Sequence, residues 1–299
     1  MTEAIGGDTQ TTITGRLAVY YPMDHPACYS LTDSVGEIVL IPSPAGAGNL
    51  YRWAGATIEV TGNLVGQDGQ RTMYMEKWVP AEVSASYLPP TTVTGPQRVL
   101  ILLVQFSDIA GTHSVSYFQN LLTGPIGSMN RYFGEDSYGM ISVYGNPTSR
   151  WHALSNPSTH YNVHTWESCS PEHAGEYYRL ADDAFSLVDP YVNYAAYNHF
   201  IIVTADAYVY GCTVRSGAHD INTNDGMTIH GYAFVSENSG LAVYAHEFSH
   251  DLGLPDLYDY SYTDPYHFID GWDLMGSSHD YPQHHSAWSK MQLGWIRGS

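Results

Sequence analysis

The nine-residue stretch "RVLILLVQF", Arg98–Phe106, sets the tightest limit on how this chain folds. An apolar run of that length with no polar face suits a strand covered on both sides. A second run, "FIIVTA" (Phe200–Ala205), reads the same way. Between them Ser170 as N-cap and Pro171 at the first position open a helix. Ala174, Tyr177, Tyr178, Ala181, Ala184, Phe185 and Val188 follow at three- and four-residue spacing, one buried stripe. "GMTIHGYAFV" (Gly226–Val235) reads as a further strand just before another helical segment. Helices packed on a buried sheet make this part of the chain α+β.

The texture before it differs. From Thr11 to about Tyr87 short β-type runs ("TITGRLAVYY", "GEIVLIP", "ATIEVTGNLV", "TMYMEKWVPAEV") alternate with Gly, Asp and Asn punctuation. That pattern predicts a small all-β barrel, OB-like in its order of strands and turns. "LPPTTVTGPQ" (Leu88–Gln97), Pro-rich and without apolar periodicity, reads as a linker. The expected division is therefore residues 1–90, an OB-like domain with a polar leader, and residues 91–299, the α+β domain.

Charge narrows the partners. Against 11 Lys plus Arg stand 30 Asp plus Glu, a net −19 with His neutral, and Lys77 and Lys290 are the two lysines. Such a surface repels phosphate, which argues against nucleic acid and anionic membrane as partners. No apolar stretch approaches the roughly 18 residues of a membrane span. "DINTND" (Asp220–Asp225) is a candidate calcium loop or an exposed polar turn, and it lacks EF-hand spacing. Of three cysteines one pair at most closes; Cys169 with Cys212 is the expected pair, with Cys28 left over. The N-terminal "MTEAIGGDTQTT" lacks the charged-then-apolar plan of a signal peptide, so the chain is expected to be cytoplasmic or a processed form.

The chemistry concentrates in "HEFSHDLGLPDLYD", His246 to Asp259. By composition alone His-Glu-x-x-His arises about 0.03 times in such a chain, so accident is a poor explanation. At about 100° per residue, Leu241, Ala245, Phe248 and Leu252 fall on one face, the core face. His246 and His250 fall opposite, one turn apart, where both imidazoles reach one ion. Glu247 lies close to His250 but off the pair's axis, the place for a base rather than a ligand. The third ligand is not a later glutamate, because Glu247 is the last in the chain. Gly253 is a suitable left-handed stop that turns the chain back, and Asp256 follows six residues after His250. Asp259, Asp270, Asp273, His284 and His285 are the alternatives. The remaining histidines share no ligand spacing. Cys28 as a thiolate on the metal is a possibility that a bystander cysteine explains more simply.

His-Glu-x-x-His-x-x-Gly-x-x-His/Asp followed by a Met-turn is the metzincin signature, and "GWDLMG" (Gly271–Gly276) supplies such a turn with Met275. Within that group the chain resembles the immune inhibitor A family of secreted metalloproteases. "VLILLVQFSD", "MNRYFGEDSYGMISVYG", "GLPDLYD", "WDLMG" and "HSAWSKMQLGWI" occur in the family's order from about Gln97 to Ile296. The N-terminal barrel lies outside this similarity. The resemblance implies a metzincin-like domain that hydrolyses peptide bonds of extracellular proteins as a monomer. His246, His250 and Asp256 would hold one zinc ion, Met275 would floor it, and Glu247 would activate a zinc-bound water. It further implies that "TIHGYAFV" pairs edge to edge with an extended substrate. Ser249 stands where the family more often has Gly, and Ser277 where some metzincins have an oxyanion-steadying Tyr; Tyr258, His279 and Tyr281 are the candidates for that task. Two other readings are a catalytically silent zinc-binding adhesion or carbohydrate-binding module, and a cytoplasmic hydrolase of non-peptide substrates. The intact Glu247 speaks against the first.

Overall fold

The computed structural model describes residues 10–22, 27–43, 50–67, 70–81, 92–161, 174–205, 212–215, 219–257, 269–276 and 282–296. Five strands open the chain: β1 (Gln10–Pro22), β2 (Cys28–Thr32), β3 (Glu37–Pro42), β4 (Thr57–Gln67) and β5 (Gln70–Pro80). They close on themselves in the order β1-β2-β3-β5-β4-β1, with β3 parallel to β5 and the other pairs antiparallel. Alternate residues Leu17, Val19, Tyr21, Leu31, Ile38, Leu40, Ile58 and Val60 fill the interior. A bulge at Thr61/Gly62 bends β4 around this core, and Gly62 is required there because a Cβ would lie 2.1 Å from the Tyr74 carbonyl oxygen. The small all-β barrel read from the alternation is present.

The second part runs β6 (Gly95–Gln105), α1 (Val115–Thr123), α2 (Met129–Asp136), β7 (Ile141–Pro147), β8 (His152–Ala153), α3 (Ser158–Tyr161), α4 (Ala174–Val188), β9 (His199–Thr204), β10 (Cys212–Arg215), β11 (Ile221–Asn222), β12 (Thr228–Ile229), β13 (Gly231–Ser236), α5 (Leu241–Leu252) and α6 (Ala287–Gln292). β7, β6, β9 and β13 are parallel neighbours, and β10 joins antiparallel on β13. The run in β6 is covered on both faces, as expected. Leu100, Leu102 and Val104 pack under α4, while Val99, Ile101 and Leu103 pack against α1, α2 and α5. The stripe on α4 is buried at Tyr177, Ala181, Ala184, Phe185 and Val188. Its expected cap, Ser170 with Pro171, lies outside the described residues.

Three expectations change. Gly95–Gln97, read as the end of a linker, pair with Ile141–Val143 as the start of β6. The single strand "GMTIHGYAFV" divides at His230, so that Thr228–Ile229 pair with β11 and Gly231–Ser236 enter the main sheet. Finally, the barrel and the second sheet are continuous. β1 pairs antiparallel with β10, and the strands run β2-β3-β5-β4-β1-β10-β13-β9-β6-β7. β13 therefore lies between β9 and β10 and offers no open edge, which corrects its reading as the strand that meets a substrate.

Candidate metal centre

α5 is anchored by its apolar face: Leu241, Ala245, Phe248 and Leu252 all enter the cluster below β6. Gly253 ends it with φ 110° and ψ 16°, a left-handed cap, its N–H donating to the His250 carbonyl at 2.9 Å. The reversed chain returns along the turn Leu274–Gly276, where the Leu257 N–H donates to the Met275 carbonyl at 2.8 Å. Asp256 is thereby brought back beside the helix.

His246, His250 and Asp256 converge. His246 Nε2 and His250 Nε2 lie 3.1 Å apart, and Asp256 Oδ1 lies 3.0 Å from the first and 3.2 Å from the second. Each imidazole Nδ1 faces a backbone carbonyl, Leu274 O at 3.0 Å and Leu254 O at 2.8 Å. A carbonyl accepts, so each Nδ1 carries the proton and each Nε2 presents a lone pair to the same point. Two lone pairs and a carboxylate oxygen, all shielded from water, repel one another unless a cation lies between them. Asp256 Oδ2 is also buried and has no hydrogen-bond partner. The set of two imidazoles and one carboxylate at this spacing fits a zinc ion with further positions open. Without metal the two rings differ: burial holds His250 below its usual value, whereas His246 takes up a proton more readily. Burial opposes protonation of His246, yet the adjoining Asp256 carboxylate lifts it to about 9. Burial also opposes the charge of Asp256, but the two imidazoles hold its carboxyl below the usual range.

Glu247 is fully buried beside this cluster and is not one of the converging groups. The Thr213 hydroxyl on β10 lies 2.7 Å from Glu247 Oε2 and 3.0 Å from its carbonyl oxygen, so β10 fixes the carboxylate. Met275 is buried in the turn whose neighbouring carbonyl, Leu274 O, orients His246. Asp273 shapes that turn from within: Oδ1 accepts from the Met275 N–H at 2.8 Å, and Oδ2 from the Ser286 N–H and the Ser289 hydroxyl at 2.9 and 2.6 Å. Tyr21, from the barrel, stacks on the His250 ring with centroids 4.0 Å apart at 9°.

Asp273 and His285, alternatives for the third ligand, are engaged elsewhere, as is His284 beside Glu135 and Asp136. The side chains of Asp259 and Asp270, and the residues Tyr258, Ser277, His279 and Tyr281, lie outside those described. Asp220 and Asp225 of "DINTND" do not converge: Asp220 pairs with Arg16 at 2.5 Å and His230 at 2.8 Å, and Asp225 caps its own turn through Thr223 and Met227. Among the described residues the one group of three or more potential metal ligands is His246, His250 and Asp256. Cys28 is packed against the cluster beneath α4. Cys212 is disulfide-bonded; its expected partner, Cys169, lies outside the described residues.

Ser249, expected to matter little, belongs to a buried relay. Its hydroxyl donates to the Ala245 carbonyl at 2.7 Å and meets His285 Nε2 at 3.0 Å, while His285 Nδ1 and Lys290 Nζ bind Asp136 at 2.5 and 3.0 Å. Burial opposes the charge of Asp136, but His285 and Lys290 hold its carboxyl below the usual range. The relay ties α2 and the C-terminal segment to the back of α5. Asp136→Asn is expected to destabilise the fold by about 3–5 kcal/mol at pH 7, because two buried donors lose their charged partner. Since the folded pKa is depressed, the stabilisation is present above the unfolded value of about 3.9 and is lost as pH falls through the folded one. Urea midpoints for wild type and variant should therefore be far apart at pH 7 and converge in acid, as pH falls through the depressed folded pKa.

Compared with known families, residues 192–291 match the immune inhibitor A peptidase M6, catalytic domain. The match runs from just before β9 into α6 and contains α5 and the Met275 turn. Among curated proteins the chain is similar to the pre-pro-metalloprotease PrtV of Vibrio cholerae serotype O1, from strain M66-2 and from strain ATCC 39315 / El Tor Inaba N16961. Each is 24% identical over 272 residues, covering 66% of this chain and 29% of the relative, so the chain spans less than a third of their length. The resemblance read from the motifs is borne out.

Proposed function

We propose that this chain is a zinc-dependent endopeptidase in which His246, His250 and Asp256 hold the metal and Glu247 is the general base. The observation that carries the reading is the convergence of two Nε2 lone pairs and one carboxylate oxygen at about 3 Å, with both Nδ1 protons fixed by backbone carbonyls. The peptidase M6 match over the same residues supports it. Zinc held there supplies a Lewis acid that polarises the scissile carbonyl and makes water acidic enough to attack at neutral pH. Glu247 takes the proton from the attacking water and passes it to the departing amine. Thr213 holds Glu247 in place for both transfers, and Leu274 O and Leu254 O hold the two rings.

We read residues 91–299 as a metzincin-like catalytic domain and residues 1–90 as an OB-like domain attached to it. Work outside the cell fits the disulfide at Cys212, since such bonds persist in oxidising compartments. No described helix is long and apolar enough to cross a membrane. Protein or peptide is the substrate class. The test is cleavage of an internally quenched peptide by the zinc-loaded chain: a chelator should stop it and zinc should restore it. Cleavage indifferent to the chelator, or no cleavage by any zinc-loaded form, sinks the reading.

Thr213→Val retains shape and removes the hydroxyl. It is expected to lower kcat by about 10–100-fold, the usual cost of losing an outer hydrogen bond at such a site, with zinc content unchanged. An unaltered kcat would remove Thr213 from the machinery.

A further inference from the structure

We infer that the N-terminal barrel keeps the enzyme latent by laying its own strand β1 where an extended substrate would add to the catalytic sheet. The inference rests on the metalloprotease reading above. β10 touches Glu247 through Thr213 and is the last strand of the catalytic sheet, so an extended peptide cleaved beside Glu247 would add to it. One edge of β10 is paired with β13. The other is taken by β1, antiparallel, with Val19, Tyr20, Tyr21 and Pro22 opposite Arg215, Val214, Thr213 and Cys212. Tyr21 is thus directly opposite Thr213, and its ring covers His250 in parallel stacking. His246, Glu247, His250 and Asp256 are all at most 6% exposed, and Tyr21 is one of the groups that cover them. A substrate carbonyl cannot reach them while β1 is seated.

The seat is held on both faces of β1. Leu17, Val19 and Tyr21 belong to the barrel interior, whereas Ala18 and Tyr20 belong to the cluster of the catalytic part that contains Tyr177 and Phe234. Arg16 adds an ion pair to Asp220 at 2.5 Å, and Arg52 donates to the Gln292 carbonyl at 3.3 Å. β1 is at the same time a closing strand of the barrel through β2 and β4. It can therefore depart with the barrel as one body, leaving the β10-β13-β9-β6-β7 pairing intact.

The test uses the zinc-loaded full chain with Arg16→Ala, with Tyr21→Ala and with both. Two quantities are read: kcat/KM on the quenched peptide, and the affinity of a peptide hydroxamate measured in a Glu247→Gln background. Because the competent fraction multiplies both, they should rise together, by about tenfold or more in the double variant, as for removal of any competing closed state. Arg16 is half-buried at the rim, so Arg16→Ala keeps the test valid should Tyr21→Ala fail to fold. Hydroxamate affinity that rises while no chain hydrolyses peptide supports the occluding barrel and sinks the protease reading. Hydrolysis and affinity equal to wild type in folded Arg16→Ala and Tyr21→Ala chains overturn the barrel inference and leave the protease reading standing.

Discussion

Replacing Glu247 with alanine is expected to cut peptide hydrolysis by about 10²–10⁴-fold, the range for loss of a positioned general base, with zinc still bound at close to one ion per chain. The separation of the two effects follows from the geometry. Glu247 is buried beside His246 and His250 but is not one of the three groups that converge. Its carboxylate is fastened from β10 by Thr213 and does not belong to the ligand set. Removing it therefore costs the proton transfer and leaves the ligand set whole. Rates and zinc content measured on the same preparation check this. Full activity in Glu247→Ala would end its assignment as base, and loss of zinc would make it a ligand.

Stripping the metal is expected to weaken the fold as well as the activity. Without the metal, two imidazole Nε2 atoms and a carboxylate oxygen are held about 3 Å apart in a region closed to water, and a proton on His246 replaces only part of the ion's charge. Zinc present at a thousandfold over its Kd adds about 4.1 kcal/mol to the stability of a protein that binds it only when folded. In a domain of this size that is a fall in Tm on the order of 10 °C when a chelator is added. His250→Ala removes one ligand, so its Tm should lie below that of the zinc-loaded wild type, near the metal-free one, and be insensitive to chelator. Equal chelator shifts in wild type and His250→Ala would show that the metal binds elsewhere.

Much of this centre was legible from local sequence because it is built on one helix and one turn. Helical spacing separates Leu241, Ala245, Phe248 and Leu252 from His246 and His250, and the structure keeps that division. Gly253 announced a left-handed stop and Asp256 its consequence, since a chain reversed there has little choice of direction. The apolar run of β6 was equally plain, for burial on both faces leaves no polar position from Val99 to Val104. What local periodicity cannot convey is which strands become neighbours. β1 and β10 are almost 200 residues apart, and nothing in the alternation of either says that they pair. For that reason Thr213 and Tyr21 were not singled out, and β13 was taken for an open edge. The Ser249–His285–Asp136 relay escaped for a related cause: each member lies on a different element, so their juxtaposition belongs to packing alone.

X-ray absorption at the zinc edge of the metal-loaded full chain tests the metal centre most directly. One bound ion with nitrogen and oxygen neighbours at about 2.0–2.2 Å, including two imidazoles and no sulfur, is the expected shell. Asp256→Ala should retain the two imidazoles with a weakened or replaced oxygen contribution. A shell containing sulfur, or one with two imidazoles unchanged by Asp256→Ala in both geometry and affinity, would contradict the assignment of His246, His250 and Asp256 as the metal site.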